Sequence, residues 1–360
     1  APCAGLAAVA PHAGSTVHRR TAGRPLRAHG TLAPRRQCGR AGVAGRRHCL
    51  AICPSLERTC KGYNPGRRHG NQGHHLAMGI QPATVTTIEA RSPAKLNLFL
   101  HVTGRRPDGY HSLQTVFQLL NWGDDMRFEA REAPGITLSG DTDDIAPANN
   151  LILKAATALG RPERGAHIHI RKRIPRGGGL GGGSSNAATT LLALNRLWQL
   201  KLEQNALRQL AAPLGADVPV FVSGHSAWAE GTGEILSPIA LPKRWYVIAQ
   251  PACEVSTAEI FAHPELTRHT APITVQAFFS GAGHNDLQPV VLSRYPEVQR
   301  AWEWLNQHSP TARMTGSGAC LFAALETEEA ARRIAVEAPT GLEVAVAEGL
   351  DRLPEMREVT

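Results

Sequence analysis

Six glycines in seven residues, Gly177-Gly178-Gly179-Leu180-Gly181-Gly182-Gly183, followed by Ser184-Ser185-Asn186, constrain this chain more than any other feature. The stretch is entered from Ala166–Lys172, an apolar/basic run that reads as a strand, and then through Ile174, Pro175 and Arg176. It is left through Ala187, Ala188, Leu191, Leu192, Leu194, Leu197 and Trp198, which recur at helical spacing. Strand, glycine turn and helix thus follow without a break. Glycines let the backbone turn inward with no Cβ in the way, and the first amides of a helix lack internal acceptors. Such a turn suits an anion, a phosphate above all. Ser184 and Ser185 add hydroxyls for phosphate oxygens or for a magnesium ion. A flexible Gly/Ser linker has similar composition, but linkers seldom lie between a strand and a strongly amphipathic helix. No lysine follows the glycines, so this is not a Walker loop. No acidic residue closes a second strand about twenty residues on, so a dinucleotide fingerprint fits poorly.

With 360 residues, 42% of them hydrophobic, the chain is long enough for two domains with ordinary cores. No apolar run approaches the ~20 residues of a bilayer span, which points to a soluble protein. The formal charge of +9 would suggest a polyanion partner if it were spread evenly, but it is not. Residues 1–85 hold thirteen Lys and Arg against the single acid Glu57, and the remainder is net negative. The body therefore offers no overall basic field to nucleic acid. Five of seven cysteines also fall in the first 85 residues, leaving Cys253 and Cys320 in a body that reads as a reduced, cytosolic protein. Cys49 and Cys53 with His48, His69 and His74 lack the second pair that a zinc finger needs.

Residues 1–85 alternate Ala/Gly/Pro/Arg clusters without a sustained period and are expected to be disordered. A transit peptide, a nucleic-acid-binding tail and translated sequence upstream of the true start (Met78 or Val85) all fit. Scarce serine and the lack of an amphipathic arginine helix favour the last. Order is expected from Thr86. Thr87–Ala90 and Leu96–Val102 read as strands joined at Ser92-Pro93-Ala94-Lys95, and Gly104–His111 as a turn-rich loop. Ser112–Leu120 reads as a strand, Met126–Ala130 and Gly135–Ser139 as edge strands, and about Asn150–Leu159 and Leu202–Leu210 as helices. Gly215–Phe221 is a short buried run, and Ser226–Gly231 with Glu234–Leu236 suggests a hairpin. A second unit opens with the strand Trp245–Gln250 and continues through helices at Ser256–Phe261, Asp286–Ser293 and Pro296–Gln307. A second glycine turn, Met314–Phe322, precedes a last helix, Glu328–Glu337, and a last strand, Glu343–Ala347. The fold class is α+β in both halves, 86–243 and 244–360, with the two glycine turns converging on one nucleotide in a cleft between them.

Three blocks together resemble the motifs of the GHMP kinase superfamily: Pro93-Ala94-Lys95-Leu96-Asn97-Leu98, Pro175–Ala187, and Thr315-Gly316-Ser317-Gly318-Ala319. Phe99-Leu100, Arg106–His111, Gly177–Thr189 and Leu214–Pro219 narrow the resemblance to the branch of 4-diphosphocytidyl-2-C-methyl-D-erythritol kinases in the non-mevalonate isoprenoid pathway. It covers about Thr86 to Leu353 and leaves the leader unmatched. The resemblance implies an N-terminal ATP-binding domain of ribosomal protein S5 domain 2-like fold and a ferredoxin-like C-terminal domain.

It also implies ATP and Mg2+ as cofactors, the cytidine diphosphate ester as small-molecule substrate, no nucleic-acid or membrane partner, and a monomer or homodimer. A bacterial cytoplasmic location follows, or a plastid one if the leader is a genuine transit peptide. Asp217 corresponds to the family's base, with Lys95 beside it to hold the carboxylate ionised. Without the motif, Asp217 would read as a helix cap and Lys95 as a solvated strand end. Asn150, Lys172, Pro175, Gly177, Gly178, Gly179, Leu180, Gly181, Gly182, Gly183, Ser184, Ser185 and Asn186 would line the nucleotide, with Ser184 or Ser185 meeting the metal. Tyr110 and Phe261 would stack on the cytosine, and His111 would bond its edge; singly, each aromatic would read as core. Asn97 would face the methylerythritol hydroxyls and Thr257 the diphosphate, while Thr315, Gly316, Ser317 and Gly318 form the supporting glycine loop. Homoserine or mevalonate-type alcohols are the alternative substrates within the superfamily, and a nucleic-acid-binding leader on an inert scaffold is the alternative outside it.

Overall fold

The computed structural model describes residues 86–142 and 145–359. The basic leader, with its cysteines and both candidate start positions, lies outside the described residues. All described residues belong to one compact unit, Met78–Thr360. In chain order the first half contains β1 (Thr87–Arg105), β2 (His111–Arg131), β3 (Gly135–Gly140), α1 (Leu151–Ala158), β4 (Gly165–Arg171), α2 (Gly182–Leu197), α3 (Gln204–Ala211), α4 (Val218–Ser223), β5 (Ala227–Glu230) and β6 (Ile235–Pro238). The second half contains β7 (Trp245–Gln250), α5 (Thr257–Ala262), α6 (Val275–Phe279), α7 (Gln288–Arg294), α8 (Pro296–His308), β8 (Arg313–Met314), β9 (Leu321–Leu325), α9 (Glu328–Val336), β10 (Glu343–Leu350) and β11 (Arg357–Val359).

The long antiparallel hairpin β1–β2 is the frame. The expected break at Ser92–Lys95 is absent: β1 runs through it, and the pairing with β2 shifts register between Pro93 and Lys95. A proline is tolerated within a strand where a bulge relieves the ladder. Met126–Ala130 is not an edge, because its stretch of β2 pairs with β1 on one side and β4 on the other. β3 is an edge, parallel to β4 alone. The side of β2 away from β1 is shared along its length by β5 at Thr115–Phe117, β10 at Leu119–Leu120 and β4 at Asp125–Arg131.

β10 joins the two halves. Its end, Gly349–Leu350, pairs with β2, while Glu343–Glu348 pairs with β7, and the path continues to β9 and β8. The expected boundary at residues 243/244 falls in the connection between β6 and β7. One hydrophobic cluster packs α1–α4 on the first sheet and a second packs α7–α9 on β7 and β9. In α2 the helical repeat of Ala187, Leu191 and Leu194 is fully buried, and each leucine stabilises the fold by about 2 kcal/mol. A third cluster lies between them and takes Leu96 from β1, Leu180 from the first glycine turn and Cys320 from the end of the second. This shared core fixes both turns to the same strand.

Candidate active site

The two glycine turns are hydrogen-bonded to each other. Ala319 N donates to Gly177 O at 3.1 Å, Cys320 N to Gly178 O at 3.2 Å, and the Thr315 hydroxyl to Gly179 O at 3.3 Å. Gly179 has φ +73°, and a Cβ built there would lie 2.2 Å from the Thr315 carbonyl oxygen. Only glycine allows that approach. Gly181, also left-handed, precedes the first turn of α2 without a capping side chain, so amides of that turn have no intrahelical acceptor.

The first turn is a partition between two cavities. One, of about 330 Å3, is lined by Pro175–Ser184 with Asn149, Asn150, Lys172 and Asn186. The other, of about 300 Å3, is lined by Lys95, Asn97, Thr115, Asp217, Thr257, Phe261, Gly316 and Ser317. Gly177, Gly179, Gly181 and Ser184 face both. A group bound at the turn from one side is therefore within reach of a group bound on the other.

Lys95 and Asp217 meet in the second cavity, Nζ to Oδ2 at 3.3 Å. Lys95 is only 3% exposed, and an ammonium removed from water must be compensated. Its other partners are Asn97 Oδ1 at 2.5 Å and the face of Phe117, 5.4 Å from the ring centre. Its backbone N–H donates to Leu180 O, which ties β1 to the glycine turn. Asn97 is held in turn by Thr115, and its N–H donates to the Thr315 hydroxyl. Asp217 stands at the head of α4 but its side chain caps no amide. At 32% exposure the carboxylate stays open to the cavity.

A buried carboxylate absent from every motif anchors the other side. Asp124, fully buried in β2, accepts from Arg173 N at 2.7 Å and Ile174 N at 2.9 Å through one oxygen. Through the other it accepts from Lys172 Nζ and from Asn186 Nδ2. The residues entering the glycine turn and the one leaving it are thus fastened to a single side chain. Asn186 also donates to Ser92, whose hydroxyl donates to Ser185 at 2.8 Å. Ser185 is fully buried in that chain, whereas Ser184 is half-buried and faces both cavities. Asn150 caps α1, accepting from Ile152 N.

Beyond Thr257 and Phe261, outside the lining of the second cavity, stands His111 at the start of β2. The Thr257 hydroxyl is 2.6 Å from that of Ser317, and the Phe261 ring stacks on His111 with centres 5.1 Å apart. Arg268 Nε donates to His111 Nε2 at 3.3 Å. Burial first, then the charges of Arg268 and Arg105, lower the His111 pKa below its ordinary value. Tyr110, beside it, is 67% exposed and lines neither cavity.

Comparison with known proteins shows the family. The GHMP kinases N terminal domain matches residues 150–225, and the GHMP kinases C terminal domain matches residues 273–343. The chain is 53% identical over 266 residues to a protein of Thiobacillus denitrificans named 4-diphosphocytidyl-2-C-methyl-D-erythritol kinase, covering 73% of this chain and 95% of that one. The chain belongs to the GHMP kinase family. A Nitrosospira multiformis protein of the same name is 54% identical to this kinase over 272 residues, 74% of this chain and 92% of the relative. The crystal structure of a 4-(cytidine 5'-diphospho)-2C-methyl-D-erythritol kinase superposes with a TM-score of 0.63 at 34% identity, covering 72% of this chain and 98% of that one. GHMP kinases use ATP, and a cradle of glycine amides beside a lysine–aspartate pair is consistent with phosphoryl transfer.

Three residues that organise this kinase's site escaped the sequence reading: Asp124, Ser92 and Arg268. Asp124 had a signal, since Asp124-Asp125 interrupts an otherwise strand-like run, and one of two such neighbours must face the interior of a sheet. Ser92 and Arg268 carried none. Among the described residues, no helix is long and apolar enough to cross a membrane.

Proposed function

We propose that this kinase transfers the γ-phosphoryl group of ATP to the 2-hydroxyl of 4-diphosphocytidyl-2-C-methyl-D-erythritol, a step toward isoprenoid precursors. The observation that carries the reading is the Lys95–Asp217 pair in a cavity that shares its glycine wall with the phosphate cradle. The names of the relatives at 53% and 54% identity support the choice of substrate. ATP occupies the first cavity, in the domain 86–243. Its phosphates lie on the turn from Gly177 to Ser184, with Asn150, Lys172, Pro175 and Asn186 around the nucleotide. The alcohol lies in the second cavity against Asn97 and Thr257. Its cytosine lies toward Phe261 and His111, with Tyr110, on the exposed loop beside His111, as a second stacking face. Thr315–Gly318, from the domain 244–360, supports the turn on the side of the second cavity.

In the transfer, the 2-hydroxyl oxygen forms a bond to the γ-phosphorus while the bond to the β–γ bridging oxygen breaks, and ADP leaves with that electron pair. The hydroxyl proton passes to Asp217. The Lys95 ammonium, 3.3 Å from the Asp217 carboxylate, offsets the charge on the attacking oxygen. Among the described residues no cluster of three His, Cys, Asp or Glu could hold a metal by itself. Ser184, half-buried, offers a hydroxyl at both cavities, which would fit a magnesium ion held mainly by phosphates. Such an ion would neutralise phosphate charge. Incubating the full chain with ATP, magnesium and three alcohols tests the assignment. The cytidine ester should be phosphorylated, and homoserine and mevalonate should not; preferential use of either would overturn it.

A further inference from the structure

A third cavity, of about 290 Å3, shares no lining residue with the two of the active site. Its walls are aromatic: Tyr246 from β7, Phe322 from β9, and Phe278 and Phe279 from α6. Two guanidinium groups, Arg244 and Arg313, line it, and no acidic residue does. Arg244 is 3.7 Å from Glu326, both of them exposed, a pair that solvent and salt screen. Arg313 is different. Its Nη1 donates to Leu98 O at 3.0 Å, and among the described residues no carboxylate lies within ion-pair distance of it. Burial lowers its pKa, and no neighbouring charge offsets that. A half-buried cation without a counter-ion, set in an apolar wall, carries a desolvation cost that a bound anion would relieve. At the rim, Phe279 leaves a large apolar face 49% exposed.

We propose that this cavity binds a small amphipathic anion, its apolar body against the aromatic walls and its carboxylate or phosphate on Arg313. Guanidinium forks suit both head groups, and Arg313 has N–H groups beyond the one given to Leu98. The site is independent of the substrate assignment, since the glycine turns take no part in it.

Calorimetric titration of the full chain, with ADP at saturation, tests the proposal with octanoate, octyl phosphate, octanol and inorganic phosphate. Octanoate or octyl phosphate should bind one per chain, and which of them binds identifies the head group. Octanol should bind at least about tenfold more weakly, the usual margin for a lost charge-assisted hydrogen bond, and inorganic phosphate should show no binding. Arg313→Gln should weaken octanoate or octyl phosphate by a similar factor. Phe279→Asp, at the exposed rim, should do the same with an unchanged melting temperature. Equal affinity for octanol, binding of inorganic phosphate alone, displacement of the amphiphile by ADP, or undiminished binding by the Phe279→Asp protein would overturn the proposal.

Discussion

At the scale of single residues, His111 and Asp124 make separable predictions. The Arg268 guanidinium donates to His111 Nε2, so the neutral ring carries its proton on Nδ1, a donor for a pyrimidine edge. Burial, Arg268 and Arg105 all lower its pKa, which keeps the ring neutral down to a pH below the ordinary histidine range. KM for the cytidine ester should therefore be flat above about pH 6.5 and should rise as the pH falls through the lowered pKa, where a second cation forms beside Arg268. In His111→Ala the basal KM should rise more than kcat falls, as in Phe261→Ala, because these contacts act on ground and transition state alike. The acid limb should vanish from His111→Ala; its persistence would assign that limb to another group. Asp124→Ala strips acceptors from two backbone amides, Lys172 and Asn186 at once. It should cost about 3–5 kcal/mol in urea unfolding, the range for breaking a buried charge pair, and raise KM for ATP. A loss below about 1 kcal/mol would mean the network is not what holds the turn.

The elements divide by how local their causes are. The glycine turn and α2 were legible because phosphate geometry and helical periodicity are written in adjacent residues, Gly177–Ser185 and Ala187–Leu197. The sequence also places that turn against Thr315–Cys320, and three hydrogen bonds join the two. The strands were less legible. Pro93 reads as a turn, yet it sits at a bulge inside a strand of 19 residues, a state stabilised by β2 rather than by its neighbours in sequence. Helix α6, five residues capped by Thr274, and strand β11, three residues paired to β1, are too short for any period and were missed. Within the site, Ser184 and Ser185 are chemically alike, and only the hydroxyl of Ser92, far off in sequence, separates the buried one from the one facing the cavities. Gly179→Ala tests the junction of the turns. Its Cβ would overlap a carbonyl at 2.2 Å in a left-handed backbone, so the mutant should lose about 1–3 kcal/mol of stability and most of kcat/KM. Near-normal turnover would show that the close approach of the two turns is dispensable.

The whole molecule brings one lysine and one aspartate, 122 residues apart in sequence, to opposite ends of a 3.3 Å ion pair in a cavity that shares Gly177, Gly179 and Gly181 with its neighbour. β1 supplies Lys95, the head of α4 supplies Asp217, and β10 ties the sheet beneath them to the second half, which contributes Thr315–Gly318. The central claim is that this pair acts as one unit on the attacking hydroxyl. The direct measurement is kcat for Asp217→Asn, Lys95→Met and the double variant, in full-length protein whose ATP binding is checked separately. Asp217→Asn should lower kcat by roughly 10²–10⁴-fold with ATP affinity kept, and the double variant should be little worse than either single one. Additive losses, or an Asp217→Asn enzyme of near-normal kcat, would contradict the account and leave the phosphate cradle as the main source of catalysis.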